Sequence, residues 1–133
     1  MVTTMIVVCT LLPKTVVCTQ CKSINKLSKF VTKQEVLVIV AKESKRLNVK
    51  LTDEDAYAIT RIVDRESDGN LFMRNKRSSS AGLSGFLSST WKDVGIKKTW
   101  CPHCQIRAMI LYIKSRYKTP KRALQFHLSR GYY

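Results

Sequence analysis

Two pairs of cysteines with the same spacing restrict this chain more than any other feature: Cys18-Thr19-Gln20-Cys21, and far downstream Cys101-Pro102-His103-Cys104. Two thiolates two residues apart can grip one tetrahedral ion, so the two pairs together are the ligand set of a structural zinc site. Residues 22 to 100 lie between them, far more than the roughly 15–20 residues of local zinc modules. The fold itself must therefore bring the pairs together. Zinc on Cys18, Cys21, Cys101 and Cys104 is the expectation; two disulfides, or free thiols buried as small hydrophobes, are the alternatives. Cys9, the odd cysteine, is expected in the core.

The second pair also resembles a redox site, because Cys101 precedes a helical pattern whose dipole would favour a thiolate. The surroundings argue against thiol exchange. Thioredoxin-like folds place their Cys-x-x-Cys early and build most of the sheet afterwards, whereas residues 105 to 133 read as helix.

Helix signals dominate from residue 32 onward. Thr32-Lys33-Gln34-Glu35 has the form of a capping box and opens a helix through about Leu47, with the apolar run Val36 to Ala41 predicting burial on several faces. Thr52 caps an acidic first turn, Asp53-Glu54-Asp55, which complements the positive helix end. That second helix carries Ala56, Ile59, Ile62 and Val63 on one face and ends at Asp68-Gly69-Asn70. A basic, Ser-rich loop follows, and Leu83, Phe86, Leu87 and Trp91 predict a short third helix. Ile106, Met109, Ile110, Ile113 and Tyr117 form one face of a fourth. Thr119-Pro120 starts a fifth, with proline where no amide hydrogen is needed, and Gly131 lies near its end. Residues 1–31 read as a short Cys-containing β-hairpin of β-branched strands around Pro13-Lys14, ahead of a mainly α domain over 32–133. The apolar run Met5 to Leu12 lacks a basic flank and is too short to span a bilayer, so neither an export signal nor a transmembrane segment is expected.

Charge limits the partners. Twenty-four Lys and Arg against nine Asp and Glu give a net +15, which points to a polyanion: nucleic acid, an anionic cell wall or a membrane surface. Arg74, Lys76 and Arg77, and the cluster Lys114, Arg116, Lys118, Lys121 and Arg122, are the candidate contacts, although several of them need be no more than a solvated face.

Glu66 is the candidate acid. It follows Ile62 by four residues and Ile59 by seven, so its carboxyl continues the apolar face. A carboxyl desolvated there has a raised pKa and remains protonated near neutrality, as a general acid requires. The plainer alternative is a helix-end Glu that turns outward or pairs with Arg61 or Arg65.

The run IVDRESDGNLFMRNKRSSSAGLSGFLSSTW resembles the catalytic segment of the soluble lytic transglycosylase family, in the version common in bacteriophage proteins. Glu66-Ser67, then Ala81-Gly82-Leu83, then Ser89-Thr90-Trp91 follow the family's order, and QIRAMILYIKSRYKTPKRALQFHLSRGYY is similar to its C-terminal part. The likeness spans about residues 52 to 133. It implies a lysozyme-like fold and cleavage of the β-1,4 bond between N-acetylmuramic acid and N-acetylglucosamine in peptidoglycan. Glu66 would protonate the leaving oxygen and then deprotonate the muramoyl 6-hydroxyl, with no cofactor and without the paired carboxylates of most glycosidases. Asp68 stands as a second carboxylate should the reaction be hydrolytic. Ser67, Gly82, Leu83 and Phe86 would line the cleft, and His127, Tyr132 and Tyr133 would approach it from the last helix.

Two departures stand out. Where the family has a small residue or Met and then a substrate-binding Gln, this chain has Ser84 and Gly85, which points to weaker activity or a binder. Cys101 and Cys104 also stand just before Gln105, where other polar residues are usual. A phage-like lysin implies a place in a virion or tail, or release to the bacterial wall, with other phage structural proteins as neighbours. Two rivals remain: a structural virion protein that keeps the fold without activity, and a basic zinc-containing nucleic-acid binder.

Overall fold

The computed structural model describes residues 17–19, 21 and 28–133. Five helices account for most of them: α1 (Lys33–Arg46), α2 (Asp53–Ser67), α3 (Ser88–Val94), α4 (Pro102–Tyr117) and α5 (Pro120–Arg130). The mainly α class read from the sequence holds. The predicted hairpin and Cys9 fall largely on residues outside those described. Among the described residues, β structure is limited to isolated antiparallel bridges, Phe30 with Asn70, Arg74 with Ala81, and Ala81 with Phe86.

Local chemistry sets the helix ends. Thr32 and Glu35 exchange side-chain and backbone hydrogen bonds as a complete capping box, and Thr52 does the same with Asp55; each such cap contributes about 1 kcal/mol. At the other end of α2, Asp68 adopts φ 51°. Short polar side chains tolerate this left-handed conformation, and it turns the chain out of the helix directly after Glu66 and Ser67. Thr119 caps α5, Pro120 occupies its first turn, and Gly131 ends it at φ 79°.

Helix α4 is the axis around which the others assemble. It contacts α1, α3 and α5, while α2 lies against α1 and α5. The one-sided pattern read from its sequence is therefore incomplete: Cys104, Gln105 and Ala108 are buried together with Ile106, Met109, Ile110 and Ile113. For α1 the correction runs the other way. Val36, Ile39 and Val40 are buried but Val38 and Ala41 are exposed, so the run contributes one face rather than several. Ile59, Ile62, Leu71 and Leu83 complete the fully buried centre; truncating one such side chain to Ala typically costs about 2–5 kcal/mol.

A buried carboxylate ties α1 to α4. Glu43 is fully enclosed, with one oxygen 2.9 Å from Arg107 Nε and the other 3.3 Å from His103 Nδ1. Arg46 reaches the same carboxylate at 3.4 Å. Removing one partner from such a cluster strands the charges that remain.

The third predicted helix is shorter than expected. Leu83, Phe86 and Leu87 precede α3 and only Trp91 lies on it, because Gly82 and Gly85 sit at φ 79° and 62° and form turns that a right-handed helix cannot contain. Residues 29–31 pair with the segment after α2, through Val31 N–H to Gly69 O at 2.8 Å and Leu71 N–H to Lys29 O at 2.9 Å. This end of the proposed N-terminal extension thus belongs to the helical body.

Candidate active site

The last turn of α2 and the loop that follows it build the site. Ser67, placed next to Glu66, is buried; its hydroxyl lies 3.0 Å from Val63 O and 2.9 Å from Leu83 O and shares one proton between them. It joins the helix to the loop and is not a cleft residue. Gln105 on α4 holds the same loop from beneath, with Oε1 accepting from Leu83 N–H at 2.7 Å and Nε2 donating to Thr99 O at 3.2 Å. A Cβ on Gly82 would lie 2.6 Å from that Oε1, so only glycine fits the close approach. Gly82, Leu83 and Phe86 are all buried. They lie behind the residues that line the cleft.

The cleft itself measures about 520 Å³ and is lined by Glu66, Ser80, Gly85, Leu87, Ser89, Thr90, Asp93, Tyr112, Arg116, Gly131, Tyr132 and Tyr133. Aromatic contacts run beneath and beside it: Phe86 to Tyr112 at 5.2 Å, Phe86 to Trp91 at 5.7 Å and Tyr112 to Tyr133 at 5.6 Å between ring centroids. Tyr133 donates to Ser84 O at 3.1 Å, tying the end of α5 to the loop that carries Gly85. Burial, with the Glu66 carboxyl nearby, pushes the Tyr133 phenol well above its ordinary value, so it remains a neutral donor. Tyr132 is exposed at the rim.

Glu66 is half-buried, and its two oxygens have different surroundings. Oε1 is 2.7 Å from His127 Nε2. Oε2 faces Gly85, where a Cβ would stand 2.5 Å away. His127 in turn receives a hydrogen bond at Nδ1 from Arg65 Nε at 3.1 Å. A nitrogen that accepts carries the lone pair, so the ring proton is on Nε2 and is donated to Glu66. His127 is buried and faces Glu66. The alternative pairing of Glu66 with Arg65 takes an indirect form, through the imidazole.

Opposing forces act on the Glu66 carboxyl. Burial raises its pKa; the hydrogen bond from His127 and the nearby positive charge of Arg65 lower it, and the balance lies above the ordinary value. The net effect of this burial is to favour the protonated form more than in an exposed glutamate.

Asp68 caps α2 and lines a separate pocket with Val31 and Thr32. The second carboxylate of the Glu66 cleft is Asp93 on α3, an assignment that depends on the packing of α3 against α4. Tyr112 was not picked out by the sequence; Gly85 was marked only as a departure from the family pattern, and Arg116 only as a candidate contact for a polyanion.

The four paired cysteines do come together. They form Cys18–Cys104 and Cys21–Cys101 disulfides, with Cα atoms 5.9 Å and 5.7 Å apart. In this state no thiolate remains to bind the expected zinc, so a metal there belongs to the reduced chain alone. Among the described residues no other group of His, Cys, Asp and Glu could hold a metal ion, and no helix is long and apolar enough to cross a membrane.

No family model matches the chain, and neither a curated protein nor a solved structure matches it.

Proposed function

We propose that this chain is a lytic transglycosylase with a lysozyme-like domain, acting on the β-1,4 bond between N-acetylmuramic acid and N-acetylglucosamine in peptidoglycan. One observation carries the reading: Glu66 enters an aromatic-walled cleft with Oε1 bound to His127 and Oε2 over a glycine. A proton on Oε2 passes to the leaving glycosidic oxygen as the C1–O bond breaks. The resulting carboxylate then takes the proton of the muramoyl 6-hydroxyl while O6 bonds to C1, closing an anhydro ring. Atoms balance without water, and Glu66 returns to its starting form.

Gly85 supports an active site in spite of the departure from the family pattern, because its missing side chain leaves Oε2 accessible. The chain's net +15 suits attraction to an anionic wall by forces that salt weakens. A place in a phage virion or tail fits the resemblance and is part of the proposal. A hydrolytic muramidase is the second reading, favoured by Asp93 in the same cleft.

Digestion of purified peptidoglycan by wild type and Glu66→Gln, with mass spectrometry of the soluble products, tests both. Anhydromuropeptides from wild type alone are expected. Reducing-end products establish the hydrolytic reading. No release by folded protein across several wall types overturns the enzymatic one and leaves the structural virion protein.

A further inference from the structure

The site holds a hydrogen-bonded chain whose first and last members are adjacent on α2 while its middle member comes from α5. Arg65 Nε–H donates to His127 Nδ1 at 3.1 Å, and His127 Nε2–H donates to Glu66 Oε1 at 2.7 Å. The imidazole is enclosed, with Tyr133 stacked at 34° and 5.8 Å between centroids, so it cannot swing away to touch a glycan. Among the described residues none donates to Glu66 Oε2.

We propose that Arg65 and His127 are positioning residues that make the two oxygens of Glu66 inequivalent, keeping the transferable proton on Oε2. Arg65 has no acceptor atom, so Nδ1 must present a lone pair to it. The ring proton is thereby confined to Nε2, and Oε1, facing that N–H, accepts and carries no proton. The acid form of Glu66 therefore bears its proton on Oε2, over Gly85 and toward the cleft. Once the proton is given up, the same N–H stabilises the new carboxylate. His127 neither gives nor takes a proton in this scheme. It supplies a fixed donor, as a second carboxylate could not.

This inference rests on the transglycosylase or muramidase reading for its consequence, but the tautomer can be read without any reaction. The test is long-range 1H–15N correlation NMR of the full-length protein near neutral pH, with signals assigned through His127→Gln, since His103 is the one other histidine. The expected pattern for His127 is a protonated Nε2 and an unprotonated Nδ1, with loss of that single form in Arg65→Leu. A protonated Nδ1 in the wild type, or the same tautomer in Arg65→Leu, overturns the proposal.

The kinetic arm uses His127→Gln, whose amide N–H can take the place of Nε2–H, and His127→Leu, which offers none. Turnover within about threefold of wild type is expected for Gln. A loss of roughly ten- to a hundredfold is expected for Leu, the range seen when an orienting partner is removed, with KM unchanged because His127 is out of reach of substrate. Equal activity of the two variants overturns the positioning role. Should His127→Leu fail to fold, the Gln variant and the Arg65→Leu spectrum decide. If wild type cleaves no wall, the functional reading fails, and the NMR result still judges the hydrogen-bonded chain.

Discussion

A Cβ atom on Gly85 would lie 2.5 Å from Oε2 of Glu66. The sequence marks this position as a departure from the family pattern; in the proposed reaction its task is to leave the acid oxygen uncovered. Gly85→Ala adds a left-handed alanine at φ 62°, costing about 1–2 kcal/mol of stability, and also pushes the carboxyl off its line. Turnover is expected to fall by more than the stability loss explains, by roughly a hundredfold, the effect of displacing a catalytic group by about 1 Å. Denaturant titration beside wall-digestion rates checks the split.

Glu66 opposes the fold's stability at neutral pH. Its pKa is raised in the folded chain, mainly by burial, so the folded state binds this proton more tightly than the unfolded state does. The associated stability is fully present below the ordinary carboxylate pKa and is lost as pH rises through the folded value. Glu66→Gln, which cannot ionise, should therefore melt higher than wild type at pH 7, with the difference shrinking toward pH 3. Thermal melting of both proteins across that range is the measurement. A constant difference would place the cause in packing instead.

How much of this was legible beforehand depends on range. The caps at Thr32, Thr52 and Thr119 are fixed by neighbours three residues away, and the sequence states them openly. Glu66 was legible only in part: helical periodicity puts it on the face of Ile59 and Ile62, but a helix-end Glu turned outward or paired with an arginine fitted the same pattern, and the family resemblance singled it out. The rest of the site is a matter of contacts between distant segments. His127 reaches Glu66 across 61 residues, and no periodicity encodes that meeting. Phe86 looked like a helical cleft residue, but its burial depends on Trp91, Tyr112 and Tyr133 closing around it. The cysteine pairs were legible as partners from spacing; their joining as two disulfides was one of the alternatives that spacing left open.

Glu43 should matter to stability and not to chemistry. Its buried carboxylate is shared by Arg46, His103 and Arg107, so Glu43→Ala removes the ionic tie between α1 and α4 and leaves a void in its place. A loss of about 3 kcal/mol is expected, read from urea unfolding. Glu43 is not among the residues lining the Glu66 cleft, so activity per folded molecule should be unchanged. A selective loss of activity with normal stability would contradict this assignment.

The disulfides make the oxidation state measurable. Each closes a long loop, with partners 86 and 80 residues apart in sequence, and such cross-links stabilise typically by about 2–4 kcal/mol through the unfolded chain. The two loops share most of their residues, so the second bond restricts an already restricted chain and should add less than the first. Protein isolated without reductant should have an intact mass four hydrogens below that of the reduced form and should melt well above it. Cys18→Ser with Cys104→Ser, which keeps Cys21–Cys101, should therefore lose less than half of the stability that full reduction removes. Metal analysis of the reduced chain completes the test: about one zinc per chain would show that the same four sulfurs form a tetrahedral thiolate site when oxidation is withheld. No zinc, with lowered stability, would show that these four sulfurs tie Cys18 and Cys21 to the start of α4 as disulfides and not through a metal.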